Sequence, residues 1–318
     1  MHKVERSFRA KVILAFTLVY ILWGSTYLGI RIAVESVPPA MMGAIRFLIA
    51  GGLMLIWCSA TGRNIRINLD QFRRLLIIGI LLLTTGNVVL GWAEKLIPTG
   101  LAALIIAITP VWFLLLETFV FRGDHLSRRG MAGLAMGFLG IVVLLWPKIA
   151  NGSAMGKQQL FGAGLVLCCS FSWATGSVLS KQWHMPVDPY VASAWEMTLA
   201  GVVNMCVALV LGNHDEVTWE TKSLLALLYL VVAGSWIGFT AYIWLLRHVP
   251  TSKVATYAYV NPIVAVFLGW FILDEKIDAF ILAGTAIIVV GVAMVTGAKV
   301  KKRGAPAEED LPACESTG

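Results

Sequence analysis

IPTGLAALIIAITP at residues 97–110 and VPTSKVATYAYVNP at residues 249–262 decide how this chain is read. Each opens an apolar run with Pro-Thr and places a second proline twelve residues on, Pro98 to Pro110 and Pro250 to Pro262. A proline inside a helix removes a backbone donor and clashes with the preceding turn, here freeing the carbonyls of Ile106 and Ala258. The same punctuation 152 residues apart predicts a duplicated unit.

The medium in which these helices sit follows from composition. Of 318 residues, 58% are apolar and 14% charged, against about 45–50% and about 25% in soluble domains, so the chain is predicted to dissolve in lipid. A span needs about 20 mainly apolar residues to cross a core of roughly 30 Å. Ten such runs are predicted, at about 12–33, 40–60, 74–93, 98–121, 130–147, 159–180, 189–211, 223–246, 250–273 and 279–298. The connections are too short for a soluble domain, and 299–318 reads as a polar, disordered cytoplasmic tail. The first run is too long for a secretory signal and lacks a small-x-small cleavage site, so it is read as a retained helix.

Lys and Arg set the orientation. With the N-terminus inside, eighteen fall in the cytoplasmic segments and six in the outer ones, which predicts cytoplasmic termini. The inner-leaflet bias accounts for the net charge of +7, so no nucleic-acid partner is invoked. Five cysteines show neither metal spacing nor a pairing pattern, and no metal or cofactor is expected.

Further matches join the two halves, taken as 1–150 and 151–298. At an offset of 150, Trp23 meets Trp173, Arg31 meets Lys181, Pro39 meets Pro189 and Gly51 meets Gly201. At 152, Gly86 meets Gly238, Trp92 meets Trp244 and Lys95 meets Arg247; one slip later, Asp124 meets Glu275. A unit of five helices is odd, so its second copy enters the membrane from the opposite side. The predicted fold is therefore an all-α integral membrane protein, ten transmembrane helices in two inverted five-helix repeats around a central cavity, a recurrent plan for secondary transporters.

The runs YILWGSTYLGIRIAVESVPPAMMGAIRFLIAGGLML (20–55) and YIWLLRHVPTSKVATYAYVNPIVAVFLGWFILDEKIDAFILAGTAIIVVGV (242–292) resemble the EamA-type branch of the drug/metabolite transporter superfamily. The resemblance covers about 12–298. It implies a ten-helix carrier of the bacterial inner membrane that exports amino acids, other metabolites or drugs. It also implies a cavity lined by spans one, three, four, six, eight and nine, with the fifth and tenth peripheral.

Paired Pro-interrupted spans are the best sequence pointer to a transporter's site, which nominates Thr109, Pro110 and Pro262. Tyr257 and Asn261 stand at i and i+4 above Lys253, one polar stripe facing an apolar one at Leu101 and Ile105. Mid-span small and hydroxyl residues add Ser25, Thr26, Asn87, Thr175 and Thr240; the aromatic candidates are Trp23, Trp92, Trp173, Trp236 and Trp244. Helix packing and interhelical hydrogen bonds are the alternative reading of all of these. Two charges lie deep in spans, where charges are costly. Arg46 stands about six residues, or roughly 9 Å, from the outer end of span two, as an anion-attracting or structural cation. Glu196, its repeat mate, is the candidate proton-coupling carboxylate. Glu117, beside Arg122, reads as a boundary ion pair. Glycines 130, 133, 137, 140, 284 and 291 give the fifth and tenth spans smooth faces that either lock the halves together or hold a homodimer.

An enzyme lacks the residues for its chemistry. All five histidines lie in loops, tails or span ends, no intramembrane aspartate pair is present, and no GxxxxGK loop awaits a nucleotide. A channel or a ligand sensor remains open beside the carrier. The expected partners are a small-molecule substrate and the bilayer, with the chain a monomer or homodimer.

Overall fold

The computed structural model describes residues 2–97, 102, 105–120, 125–150, 156–212, 215–273, 279–297 and 300–301. These residues are helical apart from connections and one two-residue antiparallel pairing, His125–Leu126 with Val300–Lys301, which ties the first two residues described beyond 299 to the middle of the chain. In chain order the helices are α1 (His2–Ala33), α2 (Pro39–Ala60), α3 (Leu69–Ala93), α4 (Thr109–Leu115), α5 (Arg128–Ala150), α6 (Lys157–Gln182), α7 (Pro189–Val210), α8 (Thr221–His248), α9 (Thr251–Val254), α10 (Tyr257–Leu273) and α11 (Ala279–Thr296). Six of them, α1, α2, α3, α6, α7 and α8, are long and apolar enough to cross a membrane. Large apolar side chains such as Ile13, Leu160, Phe119, Val210 and Phe271 are exposed around the outside, as lipid contact requires.

Local signals repeat from one half to the other. α2 and α7 each begin with proline at the first helical position, Pro39 and Pro189, where the missing N–H has no partner to lose. Each ends on a left-handed glycine, Gly62 at φ +75° and Gly212 at φ +71°. Asp188 caps α7 by accepting from the Tyr190 amide at 2.9 Å.

α3 and α8 share a feature that the sequence pattern did not announce. Over Ile80–Val88 and Leu230–Phe239 their turns widen to the i→i+5 pattern. Wide turns are rare, and they leave backbone groups poorly placed within their own helix. Side chains take up those carbonyls. Trp23 Nε1 donates to Gly234 O at 3.1 Å, Ser172 Oγ to Leu81 O at 2.9 Å and Asn87 Nδ2 to Leu82 O at 3.4 Å.

The proline-bearing runs are interrupted before their second prolines. Turns at 107–108 and 255–256 break the helix, Pro110 opens α4, and Pro262 lies within α10. The Ile106 carbonyl accepts from the Thr109 hydroxyl. Pro98, Thr99, Leu101, Arg122, Asp124 and Glu275 lie outside the described residues.

Glycines set the approach of the halves. A Cβ on Gly51 would stand 2.6 Å from the Thr198 amide nitrogen, and one on Gly201, its repeat mate, 2.7 Å from the Leu48 nitrogen. α5 and α11 interlock likewise: a Cβ on Gly291 would lie 2.6 Å from Gly137 N, and one on Gly133 2.8 Å from Gly291 O. The smooth faces of these two helices are thus covered within the chain. Gly52, next to Gly51, has open space around it.

Overpacking typically costs about 1–3 kcal/mol, and more where only backbone can yield. Gly51→Val and Gly201→Val are expected to lower the thermal midpoint of detergent-purified protein by several degrees and to reduce monodisperse yield. Gly52→Val should match the parent, and equal behaviour of all three would contradict this packing.

Candidate functional site

The wide turns of α3 and α8 both line a cavity that also takes side chains from α1, α2, α4, α6 and α10. Of the side chains predicted from sequence, Trp23, Thr26, Asn87, Thr109, Trp173, Tyr257, Asn261 and Arg46 line it together. Ile30 and Leu90, also in the wall, stand one turn from the ends of α1 and α3, so the cavity reaches towards the end that carries the 34–38 connection.

Aromatic rings floor the other side. Trp23 meets Trp173 edge-on at 5.3 Å, Tyr257 at 5.1 Å and Tyr242 at 4.7 Å between centroids. Trp173 Nε1 donates to the Tyr242 hydroxyl at 3.0 Å, and that hydroxyl also pairs with Ser177. Repeat mates thus meet at the junction of the halves, with polar edges satisfied as burial demands.

Beyond the floor, ionic contacts join the halves. Arg63 pairs with Asp188 at 2.7 Å while its guanidinium lies over Tyr190 at 4.6 Å. Glu117 meets Lys181 at 3.5 Å and accepts from Thr251, both interhelical contacts; Arg122, its expected local partner, lies outside the described residues. Within the second half, Arg247 donates to the Val187 carbonyl at 2.5 Å. At the opposite end the pair Glu35–Lys222, 3.2 Å apart, is 52% and 64% exposed and therefore contributes little.

The remaining predicted residues lie off the cavity. Trp236, Thr240 and Trp244 line a separate groove with Lys11, Leu14 and Trp57. Ser25 bonds to the Leu22 carbonyl and the Tyr229 hydroxyl, and Thr175 to the Phe171 carbonyl. Trp92 packs in a cluster with Ile30 and Val88. Pro110 and Pro262 are buried within the helices they shape. Glu196 is fully buried in α7, both carboxylate oxygens without a hydrogen bond, in electrostatic contact with Arg247 and Tyr242.

Several wall and floor residues were missed from sequence. Tyr27, Ser170, Phe239 and Tyr242 are among them. Tyr27 stands one turn after Trp23 and Ser170 one turn before Trp173, so the helical stripe of each tryptophan carried the signal. Glu94 was also passed over. It follows the last residue of α3, its carboxylate is buried without a hydrogen-bond partner, and burial pushes its carboxyl up to about 8, against a downward pull from Arg31.

The EamA-like transporter family model matches residues 10–146 and, a second time, residues 160–297. The chain belongs to that family. A relative in Escherichia coli K12, named "Uncharacterized inner membrane transporter YedA", is 37% identical over 286 residues, covering 89% of each chain. Another from the same organism, "Probable amino-acid metabolite efflux pump", is 25% identical over 283 residues, 86% of this chain and 91% of its own. A crystal structure with 22% identity shares the fold, with a TM-score of 0.77 over 90% of this chain and 96% of its own. This EamA protein is thus a multi-pass membrane protein of a transporter family, built on a duplicated unit.

Glu94 gives the fold a pH dependence. A carboxyl with a raised folded-state pKa keeps its proton in the folded protein where the unfolded chain has lost it. Its stabilising contribution is whole below about 4.5 and is lost as the pH rises through about 8. The thermal midpoint of purified protein should therefore fall between pH 5 and pH 8, and Glu94→Gln should flatten that slope. An unchanged slope in the variant would remove Glu94 as its source.

Proposed function

We propose that this EamA protein is a secondary carrier of the bacterial inner membrane, exporting small amphipathic metabolites of the amino-acid kind by alternating access. In this reading ten spans form two inverted five-helix repeats, both termini are cytoplasmic, and Glu196 carries the coupling proton. The observation that bears the most weight is the cavity: it lies where the two halves meet, reaches towards one end and is floored by aromatic rings at the other. Partly buried ion pairs lie beyond that floor, while the Glu35–Lys222 pair at the open end is exposed. The arrangement fits an outward-facing state sealed on the cytoplasmic side.

Reciprocal contacts support the inverted relation. Gly51 and Gly201 each press on the other half's backbone, Gly140 and Gly291 do the same, and the wide-turn segments of α3 and α8 occupy corresponding places. A two-fold arrangement gives both faces related chemistry, so that rocking one half on the other can seal the first entrance and open the second.

Glu196 supports coupling by position. It is 0% exposed, carries two unpartnered oxygens, and lies on the sealed side of the site near Arg247. Inward opening would part the Arg63–Asp188 and Glu117–Lys181 pairs between the halves and let water reach it. In proteoliposomes of inside-out orientation with an acidic lumen, the parent is expected to concentrate L-leucine saturably. Glu196→Gln is expected to bind the amino acid yet lose uphill accumulation to background. Undiminished accumulation in the variant would place the coupling elsewhere, and unitary currents without uphill transport would replace the carrier with a channel.

A further inference from the structure

Among the described residues that line the cavity, Arg46 is the one with a formal charge. It is 4% exposed, and its Nε donates to Ser235 Oγ at 2.7 Å. Its Nη1 is buried and has no hydrogen-bond partner, and no carboxylate in the wall balances it. Glu196, the other deep charge, has Arg247 as its electrostatic partner. Packing holds the fork in place: the guanidinium carbon lies 5.0 Å from the Phe47 ring centre, and a Cβ on Gly234 would come within 2.7 Å of Nη2. Gly234 therefore leaves room for a planar cation that the neighbouring helix would otherwise displace.

A buried guanidinium with a free donor and no counter-charge is an incomplete site. Desolvation of the cation is costly and is offset when an anion with matching geometry arrives, and a carboxylate matches the fork with two parallel hydrogen bonds. A second free group is Asn261 Oδ1, buried and unpartnered, while the Asn261 amide faces Tyr27. One wall lacks an acceptor and another lacks a donor. Trp23 and Trp173 line the same cavity.

We infer that Arg46 binds the carboxylate of the cargo, with Asn261 accepting a hydrogen bond from its amino group, so that the site selects α-amino acids over amines and amino-acid amides. This assignment rests on the carrier reading only in treating the cavity as the cargo site. The unpartnered acceptor at Asn261 gives the amino group a place without a second charge in the wall. The cationic wall rejects a solute whose sole charge is positive, by repulsion within a water-poor space.

The test is equilibrium binding to the purified full-length protein. The probes are L-leucine and L-phenylalanine, their C-terminal amides, 2-phenylethylamine and inorganic phosphate. The acids should bind at least about tenfold more tightly than the amides and the amine, the scale of a charge-assisted hydrogen bond to a buried partner. Phosphate at the same concentration should not displace them. Arg46→Gln should bring the acid-to-amide ratio close to one, while Arg46→Lys should keep part of the preference. Asn261→Leu should weaken the acids and leave acetate-like N-free carboxylates, such as 4-methylpentanoate, unaffected. Acids and amides binding equally to the parent, no acid binding at all, displacement by phosphate, or an unchanged ratio in Arg46→Gln would each overturn the assignment. Should Arg46→Gln fail to elute as a single species, the parent ratio and Arg46→Lys decide. The carrier reading fails separately: selective acid binding without uphill transport leaves Arg46 standing, and uphill transport of amines alone removes it.

Discussion

Lipid offers no hydrogen bonds, so every backbone group displaced from its helix must find a partner inside the protein. That constraint organises this fold. α3 and α8 both widen where they border the cavity, and the carbonyls so displaced are taken by Trp23, Ser172 and Asn87. An unmet group in hydrocarbon would cost several kcal/mol, and the contacts from Trp23 and Ser172 also fix a neighbouring helix against the wide turn. Trp23 thereby belongs to two structures at once: its indole N–H ties α1 to α8, and its ring forms part of the aromatic floor. Stability and the shape of the cavity are set by the same side chain.

The second constraint is close approach. Glycines at 51, 133, 201 and 291 bring backbone against backbone where any Cβ would clash. Such contacts resist local loosening and favour motion of packed units as wholes, since close-packed interiors change arrangement in discrete steps. The aromatic floor and the ion pairs behind it are, by contrast, side-chain contacts that can part and re-form. Rigid seams beside a breakable seal are what alternating access asks of a protein, and here both kinds of contact lie between the same two halves.

The all-helical, duplicated membrane architecture was legible in sequence because lipid imposes long apolar runs, and because duplication printed Pro39 and Pro189, Gly51 and Gly201, Trp23 and Trp173 at one offset. The site was legible in part. Trp23, Trp173, Asn87, Tyr257 and Asn261 gather at one cavity, since polar and aromatic residues at mid-depth have few other uses. Trp236, Thr240 and Trp244 point instead into a groove bordered by Lys11, because the wide turn in α8, which contains Trp236, rotates the residues within and after it relative to an ideal helix. No periodicity argument that assumes 3.6 residues per turn can follow that rotation. The prolines pointed to the right stretches for a neighbouring reason: the breaks come at 107–108 and 255–256, just before Pro110 and Pro262, and Thr109 caps the Ile106 carbonyl that was predicted to be freed. Glu94 escaped notice because a carboxylate at a span end reads as solvated until the packing around it is known.

The central claim is that the cavity between the halves is the transport path, open to one side of the membrane at a time. Single cysteines placed by Asn87→Cys in the wall and Ser180→Cys beyond the floor, in a chain otherwise free of cysteine, report on it directly through a membrane-impermeant thiol reagent applied to intact cells. In the state described here Asn87→Cys should label from outside and Ser180→Cys should not. In inside-out vesicles held under export conditions Ser180→Cys should become reactive while Asn87→Cys is protected. Labelling of both positions from the same side at the same time would mean a continuous pore and would contradict the account.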